Sequence, residues 1–410
     1  MLAVGDVALS DMTGAHIYID HAATTPVLPE VVDTVAARLR MLGNPSSLHA
    51  SGRAARKAVE ESREGIAAVL GARPGEVVFT AGGTEADNLA VKGLYWARHA
   101  ADHRRVRILV SAVEHHAVLD AVRWLADAEG AEVAWLPVDR LGRVDVDALR
   151  SAIDRDPASV ALVSVMWANN EVGTVQPVEQ IVQVARRHGV PVHSDAVQVV
   201  GHLPVDFGDS GLAAMTLSGH KLGGPAGVGA LLVRRDVDVV PVLHGGGQER
   251  NVRSGTPDTA SVAGLAMAVE IATASGARAA VRIGRMRDEL VTAVMAAVPD
   301  AVRNGDPEPA GALPGIANFS FSGCDGESLL LLLDAQGIEC STGSACTAGV
   351  AEPSHVLLAM GIPPQVAQGS LRFSLGHTST RADVTALAHA IGPVVERARA
   401  AGLVNRPGVS

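Results

Sequence analysis

The stretch Val77-Val78-Phe79-Thr80-Ala81-Gly82-Gly83-Thr84-Glu85-Ala86 reads as a short β-branched strand, a glycine turn and the opening of a helix. A strand feeding directly into a helix is the first half of a crossover unit, and the same rhythm recurs outward from it. Apolar, β-branched runs at 106–111, 160–167, 190–195 and 213–218 predict further strands. Residues 117–129 and 178–188 carry helical periodicity, and Gly130 and Gly189 follow them where a helix C-cap is needed. This alternation predicts an α/β domain with parallel strands and crossover helices. A turn over 223–229 leads into a strand at 230–233, and 244–255 is a Gly-rich loop of the kind that serves a site. A long helical pattern over 260–298 then carries the chain to a second set of elements at 316–321, 328–335, 371–375 and from Arg381 onward, a smaller α+β domain.

Length and composition agree with two packed bodies. The chain has 410 residues, and single cores tend to stop growing beyond about 250–300. Only 3% of residues are aromatic and the formal net charge is −10 with no basic run, so neither stacking platforms nor a field that attracts phosphate backbones is present. A small-molecule or protein substrate is expected, without direct nucleic-acid binding. Residues 1–16 lack the basic start and apolar core of a signal peptide, and no unbroken apolar run reaches the ~18 residues of a membrane span. A cytoplasmic protein that does not engage a membrane is expected. The three cysteines, Cys324, Cys340 and Cys346, form no C-x-x-C pair, which disfavours a disulfide framework or a structural metal site. Cys324 and Cys340 fall in packed elements. Cys346 lies among Gly343, Ser344, Ala345, Thr347, Ala348 and Gly349, small residues suited to a mobile arm that carries a nucleophile, and equally to an exposed thiol without function.

Polar groups collect just after the predicted strands. In Ser218-Gly219-His220-Lys221-Leu222-Gly223-Gly224 a lysine stands beside hydroxyl and imidazole groups; it suits a Schiff base with an aldehyde cofactor, and equally a solvated surface lysine. Gly83 and Thr84 open a helix whose free N–H groups suit a phosphate, or Thr84 is an ordinary N-cap. Asp195 ends a strand and could hold a protonated pyridine nitrogen, or could itself cap a helix. His115 could lie over a planar ring or be a hydrogen-bonded core residue. Thr84, His115, Asn170, Asp195 and Lys221 each follow a separate strand, and ligands of open α/β sheets bind beyond the strands' carboxyl ends. Five independent accidents are a poor account of that coincidence.

The chain resembles the cysteine desulfurases of the class-V aminotransferase family, fold-type I pyridoxal-phosphate enzymes, in the group with a long catalytic loop. The resemblance rests on Asp20-His21-Ala22-Ala23-Thr24-Thr25-Pro26, Gly43-Asn44-Pro45-Ser46-Ser47-Leu48-His49, Phe79 through Leu89, Glu114-His115-His116, Asn169-Asn170-Glu171-Val172-Gly173, Arg253-Ser254-Gly255-Thr256, Gly343-Ser344-Ala345-Cys346-Thr347 and Leu371 through Gly376, in order along nearly the whole chain. It implies a large domain over 29–275 with a mostly parallel seven-stranded sheet flanked by helices, a small domain made of 16–28 and 276–410 that carries the cysteine loop, and a flexible leader over 1–15. It implies pyridoxal 5'-phosphate, with Lys221 as the Schiff-base lysine, Asp195 on the pyridine nitrogen, His115 stacked on the ring, Asn170 and Gln198 at its phenolic oxygen, and Gly83, Thr84, Ser218 and His220 around the phosphate. Thr256 would reach the phosphate of the other subunit in a homodimer. Asn44, Asn170 and Arg372 would bind the substrate, Arg372 through its carboxylate. Leu222-Gly223-Gly224-Pro225-Ala226 and Val197 depart from versions common in the family without removing a catalytic group.

What these assignments predict is desulfuration of L-cysteine: Cys346, as thiolate, takes the substrate's sulfur as a persulfide, L-alanine leaves, and the sulfur passes to an acceptor such as an iron–sulfur scaffold or a tRNA-thiolating enzyme. Lys221 and His115 would move the protons. An aminotransferase or selenocysteine lyase of the same fold would need no such thiol, and a non-catalytic sulfur carrier would not need Lys221 and Asp195. His244-Gly245-Gly246-Gly247 has the look of an esterase oxyanion loop, but no G-x-S-x-G elbow accompanies it.

Overall fold

Val77–Thr80 is buried along its whole length, the setting in which a continuous apolar run is stable as a strand. It belongs to a computed structural model that describes residues 16–343 and 352–404. The described strands are β1 (Ile17–Tyr18), β2 (Val77–Thr80), β3 (Arg107–Ser111), β4 (Glu132–Leu136), β5 (Val160–Ser164), β6 (Val192–Asp195), β7 (Ala214–Ser218), β8 (Gly229–Val233), β9 (Val302–Asn304), β10 (Ile316–Ser320), β11 (Ile338–Glu339) and β12 (Ser370–Ser374). The helices are α1 (Pro29–Leu39), α2 (Ala50–Val69), α3 (Gly83–Ala101), α4 (His116–Glu129), α5 (Val146–Arg155), α6 (Val178–Arg186), α7 (Phe207–Ser210), α8 (Thr259–Ala297), α9 (Gly326–Asp334), α10 (His355–Ala359), α11 (Pro364–Ala367) and α12 (Arg381–Val404).

Seven strands form the main sheet in the order β2-β8-β7-β6-β5-β3-β4. Strands β7, β6, β5, β3 and β4 pair in parallel, while β8 runs antiparallel between β2 and β7. That single reversal restores β2 to the common direction, so six strands end at one edge of the sheet. The expected α/β fold with a mostly parallel seven-stranded sheet is therefore present. Two details differ from the sequence pattern. The run 160–167 leaves the regular ladder at Ser164: Val165 and Trp167 still donate to β6, but the Met166 N–H turns to the Glu114 carboxylate at 2.6 Å. Strand β4 is not among the expected strands: its apolar run is only Val133-Ala134-Trp135-Leu136, and it lies at the sheet edge with Glu132 and Trp135 exposed.

A second core gathers around the antiparallel sheet β12-β10-β9 and the parallel pair β1-β11, with Ile17, Phe319, Phe373, Leu387 and Ile391 inside it. Helix α8 feeds both bodies: Val262, Leu265 and Val269 enter the core of the main sheet, and Ile283, Met286, Leu290 and Val294 enter the second. We infer that the passage between the two bodies lies within this 39-residue helix. Its length and composition would allow it to cross a membrane, but 44% of its most apolar window is buried inside the protein, as a helix shared by two cores requires.

The Gly-rich loop is held by charge. Glu249 and Arg63 face each other in two bonds of 2.7 Å, Phe79 N–H donates to the same carboxylate at 2.9 Å, and Arg63 also donates to Val77 O at 2.7 Å. The loop there passes through three successive left-handed residues, Glu249, Arg250 and Asn251, with φ of 44°, 58° and 64°, a conformation that costs non-glycine residues roughly 1–2 kcal/mol each. Glu249→Gln strands a buried guanidinium without its anion and is expected to lower the unfolding free energy by about 3–5 kcal/mol. Urea denaturation checks this; a loss below about 1 kcal/mol would mean that the pair behaves as a surface one.

Candidate active site

The carboxyl edge of the main sheet gathers the polar residues that follow its strands. Lys221 ends the tight turn after β7. Its Nζ donates to the backbone oxygens of Ala22 and Ala23 at 2.6 and 2.7 Å, and Gln198 Nε2 donates to the same Ala22 oxygen at 3.0 Å. Burial lowers the lysine pKa to about 8, aided by the nearby Arg372 charge and opposed by Asp195 and Asp20. The amine is therefore much closer to its neutral, nucleophilic form at neutral pH than a solvated lysine is.

Asp195 closes β6 and is buried. Its Oδ1 accepts the Val197 N–H at 2.8 Å, so it caps the following turn as well as facing the site. Burial raises its pKa to about 6, against the pull of that N–H and of Lys221. Among the described residues no cation forms an ion pair with it, which leaves the carboxylate fitted for a positively charged ring nitrogen. His115 is likewise a cap: its Nδ1 accepts Ala117 N–H at 3.1 Å at the start of α4. Desolvation lowers its pKa to about 4, with Lys221 the largest charge acting in the same direction, and the ring is neutral at pH 7.

The turn before α3 has the chemistry that a phosphate site needs. Gly82, at φ 150°, is the N-cap, and no side chain caps the helix. Thr84 therefore lies inside the first turn and is not the cap that the sequence alone also allowed. A Cβ on Gly83 would come within 3.1 Å of Val197 Cγ2 and 3.4 Å of Ser218 Cβ, so glycine is what lets the turn approach Ser218. Open N–H groups at a helix start beside a serine hydroxyl suit a phosphate. His220 stands two residues beyond, its Nδ1 3.3 Å from Thr24 Oγ1, and desolvation lowers its pKa to about 4, with the Lys221 charge adding to it.

Arg372 reaches the site from β12. It is buried, donates through Nη2 to Asp20 Oδ1 at 2.6 Å and through Nη1 to Asn170 O at 3.0 Å, and its Nε has no partner. Asn170 is thus beside Arg372 through its backbone. Two expected residues are not drawn in within one chain: Asn44 is exposed with its carboxamide oxygen on Ser46 N–H at 2.9 Å, and Thr256 is exposed on the Gly-rich loop. That loop is nevertheless tied to the phosphate turn, because Arg253 pairs with Glu85 at 2.7 Å. Cys346 lies outside the described residues. Cys324 and Cys340 are each 8% exposed, and burial raises both thiols, Cys340 to about 12.

Sequence reasoning gave no role to Asp20, to the Ala22 and Ala23 carbonyls, or to Glu171. Glu171 is buried, accepts the Ser354 hydroxyl at 2.5 Å, and has its Oε2 3.3 Å from where a Cβ on Gly343 would stand. Residues on both sides of 344–351 therefore rest against one carboxylate. Only the motif membership of these residues hinted at them, since a backbone oxygen leaves no mark in side-chain chemistry. Condensation of Lys221 with added pyridoxal phosphate, followed by absorbance in the cofactor-free protein, should rise with pH to half its maximum near 8 and vanish in Lys221→Ala; a midpoint near that of free lysine, about 10.4, would mean a solvated ammonium.

The model of the family described as aminotransferase class-V matches residues 17–387. An IscS-like cysteine desulfurase of Mycobacterium tuberculosis is 59% identical over 386 residues, covering 94% of this chain and 98% of that protein. The solved structure of a NifS-like protein superposes with a TM-score of 0.85 at 34% identity, over 93% of this chain and all of the other. A structure described as SspA in complex with cysteine gives a TM-score of 0.75 at 34% identity, covering 88% of this chain and 99% of its own.

Proposed function

The chain belongs to the class-V aminotransferase family, where it is a pyridoxal-phosphate-dependent cysteine desulfurase, and from that premise we propose how its own residues divide the work. The carrying observation is the separation of protonation states at one sheet edge: a lysine near pKa 8, a neutral histidine and a buried carboxylate without a cation. Pyridoxal phosphate, when bound, supplies an electron sink that lets the α-carbon of an amino acid give up its proton and loosens the bond to sulfur. Lys221 Nζ would join the cofactor's aldehyde at rest and, once freed, take the substrate's α-proton. Asp195 would hold the proton on the ring nitrogen, and His115 would lie on the ring and pass protons near the substrate sulfur. Asn170 and Gln198 would meet the ring's phenolic oxygen, while Gly83, Thr84, Ser218 and His220 would hold the phosphate.

L-Cysteine would be held by its carboxylate on Arg372, with Asn44 and Asn170 nearby. Cys346 would receive the substrate's sulfur as a persulfide, leaving L-alanine after proton return. The open loop carrying Thr256 supports a homodimer in which that residue completes the partner's phosphate site. Leu39, Leu42 and Leu48, exposed by 70%, 89% and 87% around the stretch that carries Asn44, are surface that a second copy would cover. The persulfide would go to an acceptor protein, an iron–sulfur scaffold or a tRNA thiolase, in the cytoplasm. The names of the relatives favour desulfuration over transamination.

With both proteins loaded with cofactor, wild type should release sulfide and alanine in equal amounts from L-cysteine under reductant, and Cys346→Ala should release neither above background. Undiminished products from the variant would assign the sulfur transfer elsewhere. Arg372→Lys keeps the charge and loses the planar fork, so kcat/KM for L-cysteine should fall by about 10–100-fold, the worth of one charge-assisted hydrogen bond of roughly 1.5–3 kcal/mol; an unchanged kcat/KM would remove the arginine from carboxylate binding.

A further inference from the structure

The face of the main sheet beneath α3 is apolar in Ile108, Val110, Leu162, Ala214 and Leu231, but β6 breaks it. By the alternation of a strand, His193 and Asp195 share this face, with Ser164 opposite His193 and Thr216 opposite Asp195. Asp87, on α3, comes down onto the same strip and is 1% exposed. His193 Nδ1 lies 2.9 Å from Ser164 Oγ, and its Nε2 lies 3.1 Å from Thr216 Oγ1 and 3.5 Å from Asp87 Oδ1. Burial, and then the Asp195 charge, raise the Asp87 carboxyl well above its ordinary range; the nearby Thr216 hydroxyl acts in the opposite direction, and Asp87 Oδ1 has no hydrogen-bond partner. None of these four side chains is among the groups assigned to the cofactor.

Such a chain can run in only two directions. With Asp87 as a neutral acid, its O–H donates to Thr216 Oγ1, Thr216 donates to His193 Nε2, and His193 Nδ1–H donates to Ser164. With Asp87 as a carboxylate every bond reverses. His193 is neutral in both, since burial takes its pKa to about 3. The second arrangement puts another anion in a dry layer that already holds Asp195 and the buried Glu114, and all three carboxyls are raised by desolvation. Asp195 and His193 on β6 and Glu114 beyond β3 are the titratable groups around Asp87 among the described residues.

We propose that Asp87 is a positioning residue for the ring-nitrogen site, a neutral acid heading a one-way hydrogen-bond chain through Thr216 and His193 to Ser164, which leaves Asp195 as the anion that faces the cofactor. This rests on the reading that Asp195 holds the ring nitrogen of bound pyridoxal phosphate. It also explains why β6 carries His193 on an otherwise largely apolar face: the imidazole joins a donor on one side to an acceptor on the other at the level of the sheet.

The test has two readouts. In holoenzyme, the pH titration of the visible cofactor band should keep its midpoint in Asp87→Asn, whose amide donates as the acid does, and should move by about half a pH unit or more in Thr216→Val, which breaks the chain. In cofactor-free protein, a carboxyl protonated when folded and ionised when unfolded contributes stability that is present below its unfolded pKa and is lost as pH rises toward its raised folded value. The unfolding constant of wild type should therefore rise between pH 5 and 7 by up to about tenfold per pH unit more steeply than that of Asp87→Asn. A shifted midpoint in Asp87→Asn, or equal pH slopes for the two cofactor-free proteins, would show an ionised Asp87 and overturn the inference. A wild type that forms no visible band would instead overturn the cofactor reading, and the slopes alone would still report whether Asp87 holds its proton.

Discussion

The guanidinium of Arg372 is buried, and a buried cation is stable only if paired. Its partner is Asp20, in the stretch that follows β1, and its second bond goes to the backbone of Asn170 beyond β5. The ladder between Arg372 and Ser341 fixes the arginine on its other side. One charge thus joins the second core, the N-terminal segment and the edge of the main sheet. Because Asp20 is held there, Ala22 and Ala23 lie across the site with their carbonyls on Lys221. The two cations of the site both bond to the same short length of chain.

That arrangement also sets the electrostatics. Arg372 helps to depress Lys221, while Asp195 and Asp20 oppose it, so the amine ends near 8 rather than with a fully buried lysine's larger shift. Lys221 in turn helps to keep His115 and His220 neutral. Burial drives each group toward its uncharged form, and the few charges that survive are those with a partner or a hydrogen bond. A site that separates its titrating groups in this way can hold a proton on one and accept it on another.

The same logic runs beneath the site. The strip from Ser164 to Asp87 is polar inside an apolar layer, and it is tolerated because its hydroxyls and imidazole satisfy one another. At the far end, Glu85 links the turn before α3 to the Gly-rich loop through Arg253, and Glu249 fixes that loop through Arg63. The loops around this edge of the sheet are thus positioned by buried or half-buried ion pairs rather than by apolar packing.

The sequence by itself determined β2, β3, β5, β7 and β8, whose largely apolar runs are buried, β6 from its place in the strand–helix alternation although it reads Val-His-Ser-Asp, and the long helix after the Gly-rich loop, because burial leaves a periodic record in residue type. It also determined which side chains could do chemistry, since Lys221, Asp195 and His115 follow separate strands. It did not single out β4, whose four-residue run Val133-Ala134-Trp135-Leu136 at a half-exposed edge is too short to tell from a helix end or a loop, nor distinguish Thr84 as a cap from Thr84 within the first turn, which only the conformation of Gly82 decides. The contacts of Asp20, Glu171 and Asp87, and the backbone oxygens that receive Lys221, belong to tertiary structure alone. They join residues far apart in the chain, 183 positions from Glu171 to Ser354 and 352 from Asp20 to Arg372, and a pairing at such range depends on where the folded elements place each group and not on any local pattern.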